Sequence, residues 1–118
     1  MLRMTNKRLR AINNQIETIK KKLLMIGLMR PGSLTKQVNR RLASGKTLEY
    51  WQLSYTHKMK SKTEYVRPEM LKKTRDQIKE FKQFKTLVEK WVELAIEQAK
   101  LTADEEKKRD ENSRLSST

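Results

Sequence analysis

Leu9, Ile12, Ile16, Ile19, Leu23 and Ile26 recur at spacings of 3, 4, 3, 4 and 3, with Leu2 seven residues ahead of them. This alternation is a heptad seam, and it constrains the fold more than any other feature of the chain. Lys7, Arg8, Arg10, Lys20, Lys21 and Lys22 fall off the seam. A narrow aliphatic stripe on one helix has no stability alone and needs a second helix to cover it. The spacing predicts a helix over 5–27, closed at Gly27, with Pro31-Gly32 enforcing the stop.

A partner pattern lies toward the C-terminus. Pro68 suits a first helical position, and Glu69 sits near the positive end of the helix dipole. From Leu71 the apolar residues Ile78, Phe81, Phe84, Leu87, Trp91 and Leu94 continue with helical period and no Gly or Pro between them. A helix over 68–103 is expected, with residues 104–118 as a frayed tail. The seam is expected to pack on the Leu71–Trp91 face. At 1.5 Å per residue the first helix covers the second only to Trp91 or Val92. Leu94, Ala95 and Leu101 are then left on an overhang, a candidate interface with a second copy or another protein.

Two pieces lie between these helices. Ser33 can cap a short helix on which Leu34, Val38 and Leu42 share a face. Residues 48–56 and 61–66 are aromatic and β-branched, and His57-Lys58-Met59-Lys60 has the length of a hairpin loop. In the first strand Trp51, Leu53 and Tyr55 oppose Tyr50, Gln52 and Ser54. The expected fold is therefore mainly α (α+β): two long antiparallel helices in a coiled-coil-like pair, with a short helix and a β-hairpin inserted between them. It forms a single helix–hairpin–helix domain over 1–103, with a basic module at 30–67.

Charge says what this module meets. The 118 residues carry 28 Lys or Arg against 14 Asp or Glu, a net of +14. Residues 1–75 hold 19 basic and 4 acidic side chains, whereas residues 76–118 hold 9 and 10. A polyanion-binding end joined to a neutral end shows this polarity. Lys58, Lys60, Lys62 and Arg67 surround the hairpin, and a two-stranded ribbon fits the major groove of DNA. The plain alternative is a solvated turn whose lysines keep sheet edges from pairing. Lys36, Arg40, Arg41 and Lys46 form a second basic group, with Arg suited to bidentate phosphate contacts. Its alternative is a linker helix with a solvated face.

Catalysis finds little support. There is no cysteine, and His57 is the only histidine, which removes thiolate chemistry, His-based triads and multi-histidine metal sites. Ser44-Gly45-Lys46-Thr47 resembles the end of a phosphate-binding loop, but Arg40 stands where that loop needs its first glycine. Glu89, Glu93 and Glu97 read as a solvated helical face. No cofactor or metal is expected, and the chain reads as a non-enzymatic protein. The apolar run Leu23–Met29 is too short to span a membrane. A cytoplasmic, nucleoid-associated protein is the reading, without a membrane partner.

Pro31-Gly32-Ser33-Leu34, Tyr50-Trp51-Gln52-Leu53-Ser54-Tyr55 and Thr63-Glu64-Tyr65-Val66-Arg67-Pro68-Glu69, followed by a helix with Phe81, Phe84, Leu87 and Trp91, resemble a family of small uncharacterised prokaryotic proteins. The resemblance covers residues 16–100. Genes of that family often lie near transposases or recombinases, which implies an accessory role beside such an enzyme. Many members carry a cysteine cluster between the Pro-Gly-Ser turn and the first strand, and here Gln37 to Thr47 has none. The strand-turn-strand-helix order is also similar to the arm-type DNA-binding domains of tyrosine recombinases, a likeness of fold alone. The expected function is nucleic-acid binding, with double-stranded DNA ahead of RNA. The alternative is a coiled-coil adaptor that joins proteins.

Overall fold

A computed structural model describes residues 2–39, 45 and 48–116. Helix α1 spans Leu2–Leu24, strands β1, β2 and β3 span Ser33–Asn39, Leu48–His57 and Lys60–Val66, and helix α2 spans Leu71–Ser116 after a 3-10 turn at Pro68–Met70. The strands form one antiparallel sheet in the order β1-β2-β3. Among the described residues, no helix is long and apolar enough to cross a membrane.

The expected pair of long helices with a short helix and a hairpin between them is not the architecture adopted. The chain has one N-terminal helix, a three-stranded antiparallel sheet and one long C-terminal helix. The error begins at Ser33. Leu34 and Val38 are four residues apart, and a spacing of four satisfies both a helical face and strict alternation. Thr35 and Val38 are β-branched, and β2 offers a free edge, so the segment pairs as a strand from Ser33↔Ser54 to Asn39↔Leu48. Leu42, the third residue of the expected helical face, lies outside the described residues.

The residues fall into two compact units, Met1–Met25 with Thr86–Thr118, and Ile26–Lys85. In the first, Ile12, Ile16 and Ile19 of α1 and Leu94 of α2 are buried together, with Leu23, Leu87, Trp91 and Leu101 packed against them. Arg8 donates to both Glu97 carboxylate oxygens at 2.7 and 2.8 Å, and Gln98 Nε2 donates to Asn13 Oδ1 at 2.6 Å. The expected overhang is therefore absent. Leu94 is 3% exposed, because α1 meets α2 from Leu87 onward and not from Leu71.

The first turns of α2 serve the other unit. Leu53, Val66 and Ile78 are buried there, and Leu34, Trp51, Tyr55 and Leu71 pack against them. The Arg30 N–H donates to the Gln77 carbonyl at 3.1 Å, and the Gly27 N–H donates to Glu80 Oε2 at 3.2 Å. These bonds fix the segment that leads into β1. Helix α2 also runs on to Ser116, through most of the 104–118 stretch expected as a frayed tail. Residues 104–113 contain no Gly or Pro and place Asp104 and Glu105 four residues before Lys108 and Arg109, an order that supports a helix.

Candidate nucleic-acid interface

The register divides the sheet into two chemically different faces. Trp51↔Val66, Leu53↔Glu64 and Tyr55↔Lys62 pair across β2 and β3, and Leu34↔Leu53 and Lys36↔Trp51 pair across β1 and β2. Paired residues share a face, so this set belongs to the side that packs on α2. It carries the apolar core and also charge. Glu64 accepts an ion pair from Arg30 and a hydrogen bond from Tyr55 Oη at 3.1 Å. Lys36 Nζ lies 2.8 Å from Glu49 Oε2, and the Arg75 guanidinium stands 5.1 Å from the centre of the Trp51 ring.

The hydrogen bond from Arg30 holds the Glu64 carboxyl below its ordinary pKa. Burial, and then the bond to Glu64, push the Tyr55 hydroxyl above its own. The cluster thus keeps one carboxylate charged and one phenol neutral. Beyond it, a cleft of about 590 Å³ opens between the hairpin and α2, with Lys62, Lys82, Lys85, Tyr55 and Thr56 in its wall.

Among the described residues, the opposite face holds no charge. Its residues are Ser33, Thr35 and Gln37 from β1. From β2 it takes Tyr50, Gln52, Ser54 and Thr56, and from β3 Ser61, Thr63 and Tyr65. Each is exposed or half-buried, and every side chain ends in a hydroxyl or an amide. Gln37 Nε2 donates to Thr35 Oγ1 at 3.1 Å, the Thr56 and Ser61 hydroxyls lie 3.4 Å apart, and the Tyr50 and Tyr65 rings meet at 6.3 Å with a 52° tilt.

The expected basic residues do not act as one group. Lys60 and Lys62 alternate onto the side that faces α2, so they do not share the uncharged face. Lys58 sits in the turn with Met59, both at positive φ (51° and 64°). This makes a tight two-residue hairpin turn where a four-residue loop was expected. Arg67 follows β3 in extended backbone at the head of the Pro68–Met70 turn. Lys36 stands on a strand and not on a capped helix, and Glu49 already neutralises it. Arg40, Arg41 and Lys46 lie outside the described residues.

Of the expected protein interface, Leu94 is buried within its own chain, Ala95 is half-buried and Leu101 packs against the α1–α2 core. The large apolar residues exposed in that stretch are Val92 and Ile96, each 52% exposed. Among the described residues, no three His, Asp or Glu side chains gather as a metal site would need.

The uncharged face is the feature that sequence reading missed. Tyr50, Gln52 and Ser54 were legible as one side of β2, but their neighbours on β1 were hidden while Ser33–Asn39 read as a helix. Set against protein-family models, curated proteins and solved structures, the chain matches none.

Proposed function

We propose that the protein binds duplex DNA without catalysing a reaction on it, and that the unit formed by residues 26–85 makes the contact. One observation supports this reading above others. That unit holds 15 basic and 5 acidic side chains. Three of the acids are already engaged, Glu49 by Lys36, Glu64 by Arg30 and Glu80 by the Gly27 N–H. Lys58, Lys60 and Arg67 form no ion pair among the described residues. A folded unit that neutralises its acids internally and leaves cations outward suits a phosphate backbone. An accessory role beside a transposase or recombinase follows from the family resemblance and belongs to the same proposal.

The test is fluorescence anisotropy with a random-sequence duplex and with an RNA hairpin across a salt series. Four phosphate contacts would give a slope of log affinity on log salt near about −3.6. Replacing Lys58, Lys60 and Arg67 by Ala should weaken binding and flatten that slope. Absence of binding at low salt, or an affinity indifferent to salt, would sink the reading.

A second reading has its own observation. Val92 and Ile96 lie four apart on α2 and are both half exposed, so one face of that helix is open to a protein partner or a second copy. Sedimentation velocity of the wild type and of Ile96→Lys separates this reading from the first. A concentration-dependent dimer that the substitution dissolves would favour it.

A further inference from the structure

We propose that the uncharged face of the sheet reads base edges in the major groove of duplex DNA. The inference rests on the DNA-binding reading above and names the surface and the kind of contact. A chain that is 36% charged places no charge on this face, although exposed strand positions are where charged residues ordinarily go. Hydroxyls and amides in place of charges leave the face free of like-charge repulsion and rich in groups that both donate and accept hydrogen bonds.

The chemistry narrows what can occupy the face. Hydroxyls and amides both donate and accept, as base edges in the major groove do. A Gln amide can pair bidentately with adenine N6 and N7, and Ser or Thr can meet either kind of group. Thr35, Gln52 and Tyr65 lie in one row across the three strands, and Gln37 lies beside Tyr50 in the next row. Strand spacing sets the outer strands about 10 Å apart, commensurate with a major groove about 12 Å wide. Lys58 and Arg67 stand at opposite ends of β3, where they can meet phosphates on either side of such a contact.

Other occupants fit less well. The deep, narrow major groove of A-form RNA does not admit a sheet. A single strand would want aromatic rings laid flat as platforms, whereas Tyr50 and Tyr65 lean on each other at 52°. Apart from Leu48, which the register places at one end of it, the face has no aliphatic residue to offer an apolar protein surface, and its described side chains hold no charge to pair with a charged one.

The experiment is selection by the full-length chain from a randomised duplex DNA pool and, in parallel, from a randomised single-stranded RNA pool. A base motif should emerge from the duplex pool. The variants Gln37→Ala and Gln52→Ala, whose side chains lie outside the core, should keep the wild-type melting curve and the affinity for random duplex. Each should lose about tenfold of the preference for the selected sequence over random duplex. Substitution of 7-deazapurines for the purines of the selected site, which removes the N7 acceptor from the major groove, should reduce that preference as well. Random-duplex binding without an enriched motif, or a preference that survives both variants, overturns the base-reading assignment and leaves DNA binding standing. A preference indifferent to the 7-deaza bases overturns the groove assignment, and enrichment from the RNA pool alone overturns the choice of duplex DNA. No binding to any duplex overturns both this inference and the reading beneath it.

Discussion

Gly32 lies so close to Leu53 that a Cβ atom on it would stand 2.8 Å from Leu53 Cδ1 and 2.8 Å from the Ser54 carbonyl oxygen. Its φ of +132° is also one that L side chains rarely adopt. The chain enters β1 at this point, directly over the most buried residue of the sheet.

Gly32→Ala should therefore destabilise the protein by about 2–3 kcal/mol, from backbone strain added to overpacking. Gly27 is the control, since nothing lies within 4 Å of a Cβ there. Gly27→Ala should be neutral or slightly stabilising. Urea denaturation of both variants decides the matter, and equal midpoints would mean that the close approach to Leu53 is not tight.

Leu94 and Ile96 offer a second paired test. Leu94 is 3% exposed among Ile12, Ile16 and Ile19, and Leu94→Ala should cost about 2–5 kcal/mol through the cavity it leaves. Ile96→Lys, at a site 52% exposed, should leave the melting temperature nearly unchanged.

These two residues also show how far the sequence could be read. The α1 seam and the hairpin strands were legible because five spacings of three and four, and the alternation from Tyr50 to Tyr55, each admit one period only. β1 was not, since the Leu34–Val38 spacing fits both periods and the edge it pairs with is visible only once β2 is folded. Because that strand was missing, α1 was expected to cover α2 from Leu71 to Trp91, with Leu94, Ala95 and Leu101 left over. Leu71 and Ile78 belong to the sheet instead, and the covered stretch moves to Leu87–Leu101. Of the candidate site, the basic residues were legible as composition. Their division between the faces follows from register, which one residue of slip would invert.

The Arg30–Glu64–Tyr55 cluster makes stability depend on pH in a defined direction. Glu64 has a folded pKa below its ordinary 4.5. Such a carboxylate adds stability that is full above the ordinary value and is lost as pH falls through the folded one. Glu64→Gln should thus melt lower than wild type at neutral pH, and the difference should close on acidification below 4.5. Tyr55 acts at the other end of the scale. Its raised pKa gives a contribution present below its ordinary 10.0 and lost as pH rises through the folded value, and Tyr55→Phe should remove it. Thermal melts of the three proteins across pH check both signs.

The hairpin turn predicts a gain. Met59 is 98% exposed and held at a φ of 64°, where a side chain costs about 1 kcal/mol that glycine avoids. Met59→Gly should raise the unfolding free energy by roughly 0.5–1 kcal/mol, read as a higher denaturation midpoint. A loss of stability would mean that the Met59 side chain, despite its exposure, holds the turn.

Because Ile12, Ile16 and Ile19 are buried by residues from Leu87 to Leu101, the order of synthesis separates the two units in time. Residues 26–85 carry all the strands and the helical turns that cover them, so this unit can close over short sequence separations as soon as it leaves the ribosome. The seam of α1 emerges ahead of that unit and stays uncovered until some seventy or more later residues have been made. During that interval Lys7, Arg8, Arg10 and Lys20–Lys22 are what oppose association between nascent chains, since like charges beside an open seam repel. The basic residues of α1 thus lie where their mutual repulsion opposes contact between open seams, whatever ligand the finished protein has.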